Sequence, residues 1–217
     1  MRVRSKRALV LSPHTDDAVL GAGILLHRLS AQGCRVTYLA FTSCNDTLVG
    51  TEFPEGEIER EDRNALKLLG IDDVHYLEYK NKHLEAHRQE ILDKMYTFRA
   101  DNDMDLVIAP HAGDFHQDHQ TIGREALRMS TRHGVTVLQY PVIGTSKDFN
   151  PNLFVPVSEE EARLKMRAIS CYKTQFRLRK NWFDLDLFWS ELKTNGVYID
   201  TKYAEAFVQV KGTWILE

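Results

Sequence analysis

Short apolar runs alternate with longer amphipathic stretches along the first two-thirds of the chain. An apolar run bounded by charge, glycine or proline predicts a buried strand, and apolar residues at helical spacing predict a helix. Residues 8–12 are the first predicted strand, and residues 17–32 are the first predicted helix, which Gly33 ends. The other predicted strands are 35–42, 74–77, 105–109 and 135–140, and the other predicted helices are 57–69, 83–99 and 118–133.

Strands that are separated by helices of this length indicate βαβ units and a parallel, doubly wound sheet. We therefore predict an α/β fold, in which residues 1–140 form a Rossmann-like parallel sheet flanked by helices. Residues 141–217 are predicted to be an appended C-terminal α+β segment of the same single domain. No GxGxxG follows the first strand, which disfavours a nicotinamide cofactor.

The pattern is weaker in the appended segment. Asn150, Pro151 and Pro156 indicate turns, and Ser158 with Glu161 predicts a capping box at the start of a helix. Farther along the segment, a helix is predicted over 185–192 and an edge strand over 206–210.

Composition and charge narrow the classes of protein and partner. Apolar residues make up 43% and charged residues 27% of the 217 positions, which is typical of a globular domain. A net charge of −3 with interspersed signs disfavours a nucleic-acid partner. There is no apolar run of about 20 residues for a transmembrane segment, no signal-peptide core and no CxxC motif. We expect a cytoplasmic protein with a small-molecule partner, and a homo-oligomer is compatible with these features.

Two polar clusters, PHTDD at 13–17 and DFHQDH at 114–119, each follow a predicted strand. Ligands of open α/β sheets bind beyond the carboxyl ends of the strands, so the two clusters can meet there. His14 and Asp17 can lie on one side of a helical turn, and His119 can complete a set of three ligands. Two imidazoles and one carboxylate suit a catalytic Zn²⁺ with a position left for water, and Fe²⁺ is the alternative ion. Zinc lowers the pKa of that water to about 7, which suits amide hydrolysis.

Three neighbouring residues are candidates for the chemistry at this site. Asp16 is the predicted general base. Alternatively, the helix dipole alone favours a carboxylate at this N-terminal position, and Asp16 then has no catalytic role. His116, if protonated, could stabilise an oxyanion or protonate the leaving amine, and it could also be merely exposed. Asp118 is predicted to orient an imidazole, that of His116. His111 is assigned a structural role.

The PHTDD and HQDH segments resemble the two signature motifs of the LmbE-like (PIG-L) deacetylases, which remove acetyl groups from N-acetylglucosamine conjugates. Similar segments at 63–71, 165–175 and 204–207 extend the resemblance over nearly the full length. The resemblance implies a Rossmann-like domain that binds zinc. It also implies that His14, Asp17 and His119 are the metal ligands, that Asp16 is the base and that His116 stabilises the transition state. Family members that act on glucosamine-type sugars commonly carry Asp-Gly after the third strand. Here the corresponding segment is EYKNKHL, so Asn81 is the candidate substrate contact, together with Arg63.

Three other functions compete with deacetylation. A non-haem iron oxygenase uses the same two-histidine, one-carboxylate set. A metallophosphatase commonly needs more carboxylates or two metals, and a non-catalytic protein could bind a small molecule on the same fold. Alternation of strands with helices, together with Asp16, favours the hydrolase. We predict a zinc-dependent deacetylase of an N-acylated amino sugar or its conjugate.

Overall fold

The computed structural model describes residues 5–212, apart from the side chains of residues 101 and 102. Within this part of the chain there are seven strands and seven α-helices. The strands are β1 (Arg7–Ser12), β2 (Arg35–Ala40), β3 (Asp73–Tyr76), β4 (Leu106–Pro110), β5 (Thr136–Tyr140), β6 (Leu153–Val157) and β7 (Tyr203–Lys211). The helices are α1 (Asp17–Ala31), α2 (Glu57–Leu68), α3 (Arg88–Asn102), α4 (Gln117–Ser130), α5 (Glu159–Ile169), α6 (Lys173–Leu178) and α7 (Leu185–Val197).

All seven strands form one mixed sheet in the order β3-β2-β1-β4-β5-β7-β6. The first five strands are parallel, which confirms the predicted α/β fold with a Rossmann-like sheet flanked by helices. The strand order changes direction between β1 and β4, because the chain first adds β2 and β3 on one side of β1 and then returns to its other side. This change of direction opens a crevice at the carboxyl ends of β1 and β4.

Helices cover both faces of the sheet, and alternate side chains of β1 point into the two cores. Ala8 and Val10 belong to the larger core, which receives apolar side chains from α1, α2, α5 and α7. Leu9 and Leu11 belong to the smaller core, which receives side chains from α3 and α4. Burial on both faces explains why the inner strands β1 and β4 are nearly continuous apolar runs. No helix in the described residues is long and apolar enough to cross a bilayer.

The C-terminal segment differs from the prediction in its strands. The strand predicted at the edge over 206–210 is β7, and it lies between β5 and β6 and is antiparallel to both. The edge is β6, where the sequence indicated only turns, because Pro156 lacks the N–H that an inner strand needs and is tolerated at an edge. The predicted capping box is confirmed, since Ser158 and Glu161 exchange hydrogen bonds of 3.3 and 2.8 Å. Because β6 and β7 complete the same sheet, we propose that residues 5–212 form one domain; the remaining ends of the single domain predicted over 1–217 lie outside the described residues.

Two glycines let helices α1 and α4 approach the carboxyl ends of the strands closely. A Cβ atom at Gly21 would lie 2.4 Å from the Tyr140 ring and 2.5 Å from the Pro141 carbonyl oxygen. A Cβ atom at Gly123 would lie 2.7 Å from the Pro110 carbonyl oxygen. These contacts are far shorter than van der Waals distance, so only glycine permits this packing. Both helices begin in the crevice, and their close approach positions the polar clusters at their N-termini.

A buried ion pair connects α5 and β7 to α1. Lys165 Nζ lies 2.7 Å from Glu205 Oε1, and the two residues are 2% and 1% exposed. The Glu205 carboxylate also accepts the backbone N–H groups of Ile24 and Leu25, at 2.9 and 2.8 Å. Because the carboxylate is fully partnered, the charge is tolerated in the interior.

Lys165→Met is expected to destabilise the protein by about 3–5 kcal/mol, because the buried Glu205 carboxylate loses its counter-charge. The free energy of unfolding from denaturant titration measures this. Lys202→Met is the matched control, since Lys202 makes an exposed ion pair with Glu159 and its loss should change stability little. Equal and small changes in both variants would show that the buried pair is not a stabilising contact.

Candidate active site

A cavity of about 380 Å³ lies in the crevice at the ends of β1 and β4. Both predicted polar clusters contribute to its wall, together with residues from the loop after β5 and from α6 and the turn that follows it. The deepest lining residues include Thr15 and Asp17, which are 1% and 4% exposed. The cavity size and its mixture of apolar and polar side chains are typical of a small-molecule site.

Three polar atoms from the two clusters converge at the base of this cavity. His14 Nδ1 lies 3.0 Å from Asp17 Oδ2, and His119 Nε2 lies 3.2 Å from both of these atoms. Zinc bonds of about 2.0–2.2 Å at tetrahedral angles separate ligand atoms by about 3.4 Å, close to these distances. His14, His116 and His119 also present ring nitrogens within 4.8 Å of one another and could hold a metal ion. The donor chemistry and the spacing therefore fit a divalent cation.

The ring nitrogens that face away from this point each lie beside a carboxylate. His14 Nε2 is 3.2 Å from Asp118 Oδ2, and His119 Nδ1 is 3.2 Å from Asp114 Oδ1. Such contacts fix the orientation of a metal-binding imidazole and determine which nitrogen faces the ion. The facing atoms are thus Nδ1 of His14 and Nε2 of His119.

Asp118 differs from its prediction in the imidazole that it contacts. Its carboxylate lies against His14 and accepts the backbone N–H groups of Lys82 and Leu84, at 2.7 and 3.2 Å. His116 instead receives the backbone N–H of Asp118 on its Nδ1 atom, at 3.2 Å. The reason is local, because His116 is the N-cap of α4 and its ring bonds to the first turn.

Asp114 was missed as a functional residue, although it begins the second polar cluster. It is fully buried, and its Oδ1 atom accepts the backbone N–H of His116 at 2.7 Å. Its Oδ2 atom accepts the hydroxyl groups of Thr145, at 2.9 Å, and of Ser146. The only sequence signal was an aspartate in the same cluster as the histidines, because both hydroxyl partners lie more than 30 residues away along the chain.

The carboxylates around the two imidazoles stabilise positive charge. Burial alone lowers the pKa of His119, but contacts with Asp17 and Asp114 outweigh it and raise the pKa to about 9. Burial also lowers the pKa of His14, and Asp17, Cys44 and Asp118 together raise it well above its usual value. The same carboxylates would stabilise the positive charge of a divalent cation, since metal binding replaces protons on these nitrogens.

Asp16 lines the cavity next to the cluster. It is at the N-cap position of α1, yet its side chain makes no capping hydrogen bond. Burial and the charge of Asp17 raise its pKa to about 6. A carboxylate that titrates near neutral pH and faces the cavity is suited to accepting and returning a proton.

His116 has a different protonation state from that considered in the sequence analysis. Burial and the neighbouring rings of His14 and His119 lower its pKa to about 4, so it is neutral at physiological pH. Because its Nδ1 atom accepts the capping hydrogen bond, we assign the proton to Nε2. The ring stacks on His119, with centroids 4.6 Å apart. Neutral His116 can therefore donate a hydrogen bond without a net charge.

The two predicted substrate contacts have different positions. Asn81 lines the cavity, and its Oδ1 atom is buried without a hydrogen-bond partner in the described residues. Arg63 does not line the cavity; it is exposed on α2 and its guanidinium lies over the Tyr76 ring, 4.6 Å from the centroid. Its position on the helix explains the difference, because this face of α2 points to solvent. The cavity is also lined by Lys82, Gln175, Arg179 and Trp182.

Comparison with known proteins identifies the family. The family model described as PIG-L, GlcNAc-PI de-N-acetylase, matches residues 9–130, which is more than half of the chain and contains both polar clusters. The chain belongs to the PIG-L family. The resemblance seen in the sequence motifs is thus confirmed.

Curated and solved relatives match most of this PIG-L chain. The uncharacterized deacetylase YaiS of Escherichia coli is 30% identical over 79% of the chain and 92% of its own length. Diacetylchitobiose deacetylase of Thermococcus kodakarensis is 25% identical over 97% of the chain and 85% of its own length. The structure of N,N'-diacetylchitobiose deacetylase from Pyrococcus horikoshii has a TM-score of 0.75 at 23% identity, covering 94% of this chain and 83% of that one. The two curated relatives support N-deacetylation as the reaction and do not favour the oxygenase, and the solved structure supports the fold.

Asp118→Asn is expected to lower the affinity for a divalent metal by about 10- to 100-fold, because His14 loses the carboxylate that orients its ring. Competition with a chromogenic chelator measures this affinity. Asp148→Asn is a matched control on an exposed loop outside the cavity, and it should keep the affinity of the unmodified protein. Equal affinity in both variants would remove Asp118 from the metal site.

Proposed function

We propose that this PIG-L protein is a zinc-dependent N-deacetylase that hydrolyses the N-acetyl amide of an N-acetylglucosamine-type sugar or conjugate. The observation that carries the proposal is the convergence of His14 Nδ1, Asp17 Oδ2 and His119 Nε2 within 3.0–3.2 Å beside the cavity. Each imidazole in this set lies 3.2 Å from a further carboxylate, and metal-binding histidines commonly have such a neighbour.

His14, Asp17 and His119 are the proposed metal ligands. Their atoms are more closely spaced than the three histidine nitrogens, which spread over 4.8 Å, and the His116 Nδ1 atom already accepts a hydrogen bond. Two nitrogens and one oxygen suit Zn²⁺, with Fe²⁺ as the alternative. When bound, the ion would lower the pKa of a coordinated water and polarise the amide carbonyl.

The protein residues provide the proton transfers and the orientation of the substrate. Asp16 accepts a proton from the attacking water as the new C–O bond forms. Neutral His116 donates its Nε2–H to the carbonyl oxygen as negative charge develops there. Asp16 then returns its proton to the amine nitrogen as the C–N bond breaks, which yields the free amine and acetic acid, and the acid leaves as acetate after it loses its proton to solvent. Leu20 and Val142, both buried, line the cavity and can contact the acetyl methyl group.

A candidate contact for the sugar lines the same cavity. The Asn81 Oδ1 atom is a buried acceptor without a partner among the described residues, so it can accept a sugar hydroxyl. An N-acetylglucosamine-type substrate is also supported by the printed names of the family and of a relative, GlcNAc-PI de-N-acetylase and diacetylchitobiose deacetylase. An oxygenase would leave Asp16 without a role, and a silent binding protein would not need to keep both base and ligands.

Metal content and acetate release test this proposal together. Untreated, chelated and zinc-restored protein would be assayed with a panel of N-acetylated amino sugars. We expect release that is lost with the chelator and regained with zinc. Bound metal without acetate release from any N-acetylated sugar would contradict the proposed deacetylase activity. Acetate release that survives complete chelation would contradict its dependence on a metal.

A further inference from the structure

We propose that two neighbouring buried carboxylates on α2, Glu61 and Asp62, are positioning residues that hold Gln175 in the cavity wall, where its amide binds the substrate. This inference rests on the proposed function, because it concerns the same cavity. Neither carboxylate lines the cavity, so both act on binding only through the segment that they hold.

Gln175 belongs to the short helix α6, which forms one wall of the cavity. The residue is half-buried and lines the cavity. Its side-chain amide makes no hydrogen bond within the described part of the chain. An amide can both donate to and accept from the hydroxyl and amide groups of an amino sugar. Gln175 is therefore suited to binding the substrate as long as α6 keeps it at the wall.

Glu61 takes the place of a helix cap for α6. The first N–H groups of a helix have no partner within it, and the N-cap residue Tyr172 makes no side-chain capping bond. The Glu61 carboxylate instead accepts the backbone N–H of Thr174, at 3.0 and 3.2 Å, and the Thr174 hydroxyl, at 2.6 Å. One carboxylate thus holds both donors of the residue directly before Gln175.

Asp62 holds the residue that begins the same turn. The Tyr172 hydroxyl donates to Asp62 Oδ1 at 2.6 Å, and the Tyr172 carbonyl accepts the backbone N–H of Gln175 at 3.1 Å. Glu61 and Asp62 are adjacent on α2, and adjacent helical side chains point in different directions, so they reach different residues of this turn. Two separate chains of contacts therefore lead to the backbone of Gln175.

Only one of the two donors to Asp62 leads to the cavity wall. Asp62 and Tyr172 are buried, so a carboxylate that loses a donor there keeps an unsatisfied acceptor. The second donor is the Tyr76 hydroxyl, which lies 2.8 Å from Asp62 Oδ2. Tyr76 belongs to β3 and does not line the cavity. The two tyrosines therefore allow the positioning role of Asp62 to be separated from its contribution to stability.

Removal of single hydroxyl groups tests the inference without any turnover. Tyr172→Phe deletes the bond to Asp62, and Thr174→Val deletes the hydroxyl bond to Glu61, while both nearly keep the side-chain volume. The ligand is glucosamine, a free amine that the proposed deacetylase cannot hydrolyse, and isothermal titration calorimetry with the zinc-loaded protein gives its Kd. We expect each substitution to raise the Kd about fivefold, because the Gln175 amide is held less well. Metal content should not change.

Two matched variants show whether position or mere stability is affected. Tyr76→Phe deletes the other hydroxyl bond to Asp62 and should keep the Kd within about twofold. Thr174→Ser keeps the hydroxyl that Glu61 accepts and should also keep the Kd. A merely structural role of Asp62 predicts instead that Tyr76→Phe and Tyr172→Phe have equal effects on the Kd. Thermal unfolding of the same preparations reports their stability.

Substitution of Gln175 shows whether the two carboxylates act through it. Gln175→Ala should raise the Kd for glucosamine about tenfold. Addition of Thr174→Val or Tyr172→Phe to Gln175→Ala should change the Kd no further, because the amide that these residues position is already absent.

Three results would overturn the inference: Kd values that Tyr172→Phe and Thr174→Val leave unchanged, effects that add in full to that of Gln175→Ala, or no binding of glucosamine. Acetate release from N-acetylglucosamine is measured separately. The expected Kd values without acetate release contradict the deacetylase but keep the positioning role. Acetate release with Kd values that no substitution changes contradicts the positioning role but keeps the deacetylase.

Discussion

His119→Ala is expected to abolish stable metal binding and to lower acetate release by about a thousandfold or more. His119 Nε2 lies 3.2 Å from both His14 Nδ1 and Asp17 Oδ2, so its loss leaves two of the three proposed ligands. A metal ion contributes several kcal/mol of transition-state stabilisation, and each 1.36 kcal/mol corresponds to about a factor of ten in rate. Metal analysis after dialysis, together with kcat for acetate release, measures both effects.

A second histidine provides the control for this substitution. His111 lies near the same loop, but its ring contacts Gln139 and Phe149 and does not line the cavity. His111→Ala should therefore keep both metal and turnover. Full metal content in His119→Ala would remove His119 from the ligand set and favour a different arrangement of the cluster.

Asp16→Asn is expected to keep the metal and to lower kcat by about 10²- to 10⁴-fold. The substitution preserves the size of the side chain but removes the group that accepts and returns the proton. Asp16 makes no capping hydrogen bond to α1, so the helix should not lose stability for lack of a cap. Metal content, thermal unfolding and acetate release of the same preparation distinguish loss of chemistry from loss of the site.

Asp72→Asn is the matched control, because Asp72 is exposed and lies outside the cavity. Its activity should equal that of the unmodified protein. Near-normal turnover in Asp16→Asn would show that another group acts as the base. Loss of metal in Asp16→Asn would instead place Asp16 among the ligands. The structure favours Asp17 in that role, because its Oδ2 atom lies 3.0 Å from His14 Nδ1.

These two variants affect different steps, and the difference follows from the local geometry. Asp16 and Asp17 are adjacent at the start of α1, and adjacent side chains on a helix point in different directions. Asp17 faces both imidazoles, whereas Asp16 faces the cavity. The proposed ligand Asp17 and the proposed base Asp16 can therefore be neighbours in sequence without competing for the same ion.

The sequence by itself determined the parallel sheet and the two halves of the candidate active site. Buried parallel strands are rich in apolar residues, so the inner strands β1 and β4 were visible as apolar runs, and β2, β3 and β5 as shorter or mixed runs between the helices. Polar residues directly after β1 and β4 had to meet, because the carboxyl ends of parallel strands lie at one edge of the sheet. For this reason His14, Asp17 and His119 could be grouped although His14 and His119 are 105 residues apart in the sequence.

Only the tertiary structure decided the contacts that depend on distant partners. Asp114 bonds to hydroxyl groups more than 30 residues away, and Asp118 contacts a histidine from the other cluster, 104 residues away. Arg63 was a plausible contact by sequence, but the orientation of α2 directs it to Tyr76. The inner position of β7 likewise depends on pairing with β5 and β6, which local periodicity does not encode. Local pattern specifies which residues are strand, helix or loop, whereas packing between distant segments fixes which side chains touch.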